Sequence, residues 1–117
     1  MMGGNVECEL QRYEIVGTNA IGQSVRAWHT YVRLTGWLDL MSQITNMNTG
    51  SGTFSTKMEQ STHMFVADYV EIDDEVRDVQ FVDHRGRIYE VLIIDNPMEL
   101  NRQLEIYLRY VGDGDGR

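Results

Sequence analysis

Three histidines, one cysteine and a run of carboxylates are the side chains in this 117-residue chain best suited to hold a metal or act on a substrate. His29, His63 and His84 lie far apart, and no His-x-x-x-His or carboxylate–His spacing puts two of them on one element. Metal ligation is therefore not expected. Cys8 alone can form neither an internal disulfide nor a cysteine zinc site, and in the alternating run Val6-Glu7-Cys8-Glu9-Leu10 it reads as a small core residue. The densest acidic run contains Asp68, Glu71, Asp73, Asp74, Glu75 and Asp78. It lacks the sixth-position glycine and the alternating ligands of a calcium loop, and reads as a solvated turn between strands. Asp73 and Asp74 are neighbours, which on a strand would point to opposite faces; a carboxylate pair drawn from two strands stays open. With no Gly-x-Ser-x-Gly, phosphate-cradling glycine loop or supported His–Cys arrangement, no catalytic residue, cofactor or enzymatic activity is expected.

Charge narrows the partners. Eighteen acidic residues against ten basic give a net charge of −8. A grip on nucleic acid needs a basic face to displace counterions, and an anionic membrane surface asks for the same. No apolar stretch reaches the ~20 residues of a membrane helix, and the N-terminus has no signal-peptide pattern. The basic residues are arginines except Lys57, a bias that leans toward protein contacts. The aromatic residues Trp28, Trp37, Tyr31, Phe65, Tyr69, Tyr89, Tyr107 and Tyr110 could build a stacking platform. Too few arginines are interleaved with them, so core and interface packing is the better account.

The elements that must position these residues repeat with period two. Trp28, Thr30, Val32 and Leu34 fall on one face of a strand beginning at Ser24, which resumes at Trp37 after Gly36, a candidate bulge or bend. Met64, Val66, Val70 and Ile72 alternate with His63, Phe65, Ala67 and Tyr69. Val79 to Val82, then Asp83-His84-Arg85-Gly86, then Ile88 to Ile94 predicts a hairpin leading into a strand apolar on both faces. Leu104, Ile106, Leu108 and Tyr110 form the cleanest one-sided strand. The best helical candidate is a single turn after Asn96, with Asn96 as cap and Pro97 in first position. The expected fold is all-β: one domain over 1–117, a small β-barrel of six or seven strands with at most one or two short helical turns.

Two segments break the pattern. Residues 44–60 are rich in Gly, Ser, Thr and Asn at their centre, and predict a long mobile loop. Met47, Phe54 and Met58 would be costly to leave in water permanently, which suggests a surface that docks later. Residues 1–5 and the Gly-Asp tail 112–117 are expected to be disordered.

The stretches Ser61–Tyr69, Tyr89–Pro97 and Leu104–Leu108, preceded by Ala27-Trp28 and Trp37-Leu38-Asp39-Leu40, resemble the head-closure family of tailed bacteriophages, also called stopper or head–tail joining proteins. Coverage runs from about Val6 to Tyr110. The resemblance implies a structural virion protein that forms a homo-oligomeric ring beneath the phage portal or its adaptor. It would retain packaged DNA and give the tail proteins a docking surface, after assembly in the host cytoplasm; a resident prophage would carry the same protein. A long loop of this family closes the channel. By position it corresponds to residues 45–60 here, making Met47, Asn48, Gly50, Gly52, Phe54, Lys57 and Met58 the gating or docking residues. Asp73, Asp74, Glu75 and Asp78 would form an acidic channel or interface surface past which DNA slides without tight binding. The alternatives are a tail-terminator or tail-completion protein, and a small β-barrel binding module for nucleic acid or carbohydrate.

Overall fold

The computed structural model describes residues 5–41, 57 and 59–113, and in these the period-two segments pair into six antiparallel strands. They are β1 (Val6–Thr18), β2 (Ser24–Leu40), β3 (His63–Asp68), β4 (Val79–Val82), β5 (Arg87–Asp95) and β6 (Gln103–Asp113). The sheet runs β1-β2-β3-β6-β5-β4 and returns to β1 through Glu9–Arg12 against Val79–Val82, closing a ring. The fold is all-β as expected, with six strands. Tryptophan and β-branched residues recur along β2, and β-branched residues along β5, where a pleated, half-buried surface suits them.

The interior of the ring is filled by side chains. Phe65 packs on Phe81 with ring centroids 5.0 Å apart, and Phe81 meets Tyr89 edge-on at 5.6 Å. Cys8, Leu10, Leu34, Leu104, Ile106 and Leu108 complete the core, and Cys8 takes the place its alternating run predicts. Burial, then the nearby Asp83 carboxylate, push the Cys8 thiol up to about 12, so it stays protonated at neutral pH.

Several expectations need correction, the first two because a bulge resets a face. β2 does not hold Trp28, Thr30, Val32 and Leu34 on one side. Its ladder with β1 passes from Leu10↔Val32 to Gln11↔Thr30, leaving Tyr31 as the extra residue. Leu34 therefore faces the core, while Thr30 turns outward to donate to Glu9 Oε1 at 2.7 Å. The β5 ladder likewise skips Leu92, so Tyr89, Val91 and Ile94 reach the main core while Ile93 joins Tyr107, Met41 and Met64 in a second cluster. This makes β6 less one-sided than its sequence suggests. Val70 and Ile72 lie beyond the end of β3, in the connection to β4.

Two further corrections concern punctuation. Gly112 and Asp113 of the expected disordered tail pair with Ile88 and Arg87 as the end of β6. Asn96 makes no side-chain bond to the short 3-10 turn Pro97–Glu99; its amide instead bridges forward to Asn101, accepting from the backbone N–H at 3.1 Å. Met98, Glu99 and Asn101 all have positive φ, a tight reversal that the Asn96–Asn101 pair holds closed.

Gly36 introduces no register shift. It is the residue at which β2 leaves β1 (Val6↔Gly36) and joins β3 (Gly36↔Ala67). A Cβ there would run into the Val66 carbonyl, 2.9 Å from its carbon, so glycine is required by close approach. Beyond the contact with β4 at one end, Tyr13–Thr18 and Ser24–Trp28 pair only with each other, as a two-stranded ribbon extending past the ring.

Candidate functional site

The long β2–β3 connection starts and finishes at one place. Leu40 pairs with His63, and the Met41 amide donates to Thr62 O at 2.8 Å. Of the seven residues assigned to gating or docking, Met47, Asn48, Gly50, Gly52, Phe54 and Met58 lie outside the described residues. Lys57 is described. Its ammonium donates to the Leu92 carbonyl at 3.2 Å, and its own carbonyl accepts from Ser61 Oγ at 3.0 Å. The carbonyl it takes belongs to the residue that bulges from the β5 ladder. Lys57 thus ties the returning end of the connection to β5.

The four acidic residues fall together in the connection from β3 to β4, and all are exposed. Short local bonds shape this segment: Asp73 Oδ1 accepts from the Glu75 amide, and Glu75 Oε2 accepts from the Arg77 amide, both at 3.0 Å. Asp78 turns the chain into β4 with φ of 59° and accepts from the Tyr13 amide through its carbonyl. Two residues at the base of the ribbon dock the segment. The Asp73 amide donates to the Tyr31 hydroxyl at 2.9 Å, and the Arg12 guanidinium stacks over the Tyr31 ring with Nη2 3.2 Å from Asp73 Oδ2. Neither Nε nor Nη2 of Arg12 is aligned for a hydrogen bond, so the attraction is of charge. The Glu75 amide, then Arg12, hold the Asp73 carboxyl below its ordinary range. The acidic turn read from sequence is present, and the Tyr31 bulge that fixes it was not legible there.

Sequence reasoning also missed a polar cluster at the β4–β5 hairpin. Asp83 is 5% exposed and accepts from the Arg85 amide at 2.8 Å, the Arg87 amide at 3.0 Å and the Tyr89 hydroxyl at 2.9 Å. Burial, then the bond to Asp83, push Tyr89 up to about 12. His63 sits edge-on to the Tyr89 ring at 5.0 Å, with Nδ1 2.9 Å from Thr62 Oγ1. Burial, then the Arg87 charge, hold the imidazole below its ordinary pKa. A hairpin aspartate four residues before Arg87 was the available signal, since such side chains bond to backbone two to four residues on. The carboxylate orders the turn and the histidine sits neutral beside it. Among the described residues no group of three His, Cys, Asp or Glu side chains converges as a metal site.

Comparison with known protein families and with curated proteins finds no match.

Proposed function

We propose that this chain is a head-closure subunit of a tailed phage or prophage: a structural virion protein that assembles as a ring beneath the portal or its adaptor, retains packaged DNA and receives the tail. The observation that carries the reading is the single root of the β2–β3 connection, where Leu40 faces His63 and Met41 bonds to Thr62. A segment that leaves and re-enters a rigid ring of strands at adjacent positions can be presented to a channel without disturbing the core. The three stretches that carry the resemblance support it too: they supply β3, β5 and β6, which are consecutive neighbours in the order β3-β6-β5. The exposed Asp73, Asp74, Glu75 and Asp78 would repel phosphate where they face DNA or a neighbouring copy.

The test uses DNA-filled heads assembled without this protein. Added chain should bind at the portal vertex in electron micrographs, slow DNA release and restore tail attachment. Heads that leak and fail to join tails equally with and without it would sink the reading. Salt-sensitive binding of the isolated chain to a single-stranded oligonucleotide would favour the binding-module alternative. The exposed Tyr13–Trp28 ring pair, 5.2 Å apart, would be its stacking surface.

A further inference from the structure

The end of the ring where β1 and β3 begin and the β4–β5 hairpin turns holds a pocket of about 230 Å³. Its lining gathers His63, His84, Arg85 and Arg87 around one carboxylate, Asp83. Two of the three histidines and two arginines thus share one small concavity in a chain of net charge −8. Asp83 is buried, and its oxygens already accept from the Arg85 and Arg87 amides and the Tyr89 hydroxyl. Gly86, with φ of +85°, donates its amide to the Asp83 carbonyl at 3.0 Å, and the His84 amide bonds to the Cys8 sulfur. The hairpin amides are therefore engaged within the chain, and a ligand in the pocket would meet side chains.

Elsewhere arginines stand against carboxylates: Arg12 with Asp73, Arg33 with Glu9, Arg77 with Glu75 and Arg109 with Glu90. In the pocket the balance is reversed. Burial, then the Arg87 charge, lower the His63 pKa, ahead of the opposing pull of Asp83. The other carboxylate near Arg87 is Asp113, its neighbour across the β5–β6 ladder, which accepts from the Tyr110 hydroxyl at 3.2 Å. His63 Nδ1 lies 2.9 Å from Thr62 Oγ1, which itself accepts from the Tyr110 amide. With the Thr62 proton on Nδ1, the neutral ring keeps a donor at Nε2. Leu38 and Leu40 add an apolar side to the pocket, where attraction for an anion is stronger than in open water.

We propose that this pocket binds a phosphate-class oxyanion, held by the Arg85 and Arg87 guanidinium groups with the His63 and His84 rings donating to its remaining oxygens. Positive charge selects the occupant. Each guanidinium offers forked donors that match the spacing of two phosphate oxygens. A carboxylate has two oxygens and is satisfied by one such fork, whereas a tetrahedral oxyanion presents oxygens to both arginines and an imidazole together. The acidic surface around the pocket repels anions at long range, so the attraction is local and depends on contact. A free phosphate and a phosphate of a nucleic acid carry this same chemistry. The pocket stands whether or not the chain closes heads.

Titration of the full chain with inorganic phosphate, followed by NMR at constant ionic strength with chloride as the replaced anion, tests it. Saturable shifts should appear at His63, His84 and the guanidinium groups of Arg85 and Arg87. The His63 pKa should rise on binding, because an anion beside the ring favours its charged form. Arg87→Gln should weaken binding about tenfold and Arg85→Gln roughly threefold. Arg85 is exposed, so its variant keeps the test decisive even if Arg87→Gln disturbs the hairpin. Shifts that fail to saturate by about 100 mM phosphate, an equal response to acetate, or unchanged affinity in R85Q would each overturn the site. A single-stranded oligonucleotide without terminal phosphates separates the two sources. If it displaces phosphate from His63, the pocket takes a nucleic-acid backbone; if it does not, the pocket takes a free phosphate or phosphomonoester, and either result keeps the oxyanion site.

Discussion

Asp83 is the residue on which the most local order depends. Its carboxylate satisfies two backbone amides of the hairpin and the hydroxyl of the fully buried Tyr89. Asp83→Ala leaves these three donors without their partner and should lower unfolding free energy by about 3 kcal/mol. Tyr89→Phe removes one of the three bonds and should cost about 1 kcal/mol. Urea denaturation of both variants checks the order, and equal losses would show that the hairpin amides do not need Asp83. His63 makes a pH-dependent contribution of the same sense as the lowered carboxylates, but in a higher pH window. Its folded pKa lies below the unfolded value near 6.5, so the unfolded chain binds more protons and stability rises with pH in that window. Between pH 7 and 5 the protein should lose stability, and His63→Gln should flatten this limb. Glu9 and Asp73, both held low, act only below their unfolded values near 4.5 and 3.8, where their contribution is lost as pH falls. Unchanged slope in H63Q would assign the limb elsewhere.

At the scale of elements, the shape of the ring depends on where strands change partners. Gly36 is shared by two ladders, and the Val66 carbonyl occupies the space of its missing side chain. Gly36→Ala must push β3 away from β2 and should cost about 3 kcal/mol or more. Gly17→Ala is the matched comparison, because a Cβ on that ribbon residue meets nothing within 4 Å and should change stability by under ~0.5 kcal/mol. Similar midpoints for the two variants would refute the crowding at Gly36. The bulges at Tyr31 and Leu92 act differently: each turns following side chains to the other face and frees a group for another segment. Tyr31 is freed to meet Asp73, and the Leu92 carbonyl to accept from Lys57.

For the whole molecule, closure of the six strands gives each strand two neighbours over part of its length, while on the ribbon β1 and β2 pair only with each other. The ring holds the aromatic core, the acidic connection is tied to the ribbon's base through Arg12 and Tyr31, and the apolar tip lies beyond both.

Period-two patterning alone determined that the chain is all-β, roughly where β2 to β6 lie, that Asp83–Gly86 joins a hairpin and that Cys8 lies inside. Each of these depends on residues close together in the chain. Only the tertiary structure decided the strand order, the faces after each bulge and the double pairing of Gly36. It also decided the burial of Asp83 and the tether from Lys57 to β5. A bulge is one unpaired residue, and whether it forms depends on the partner strand's register, which no local pattern records. The ribbon has the same origin: β4 pairs with β1 only over Glu9–Arg12 and β3 with β2 only over Gly36–Leu40, which leaves the far end of that hairpin without neighbouring strands.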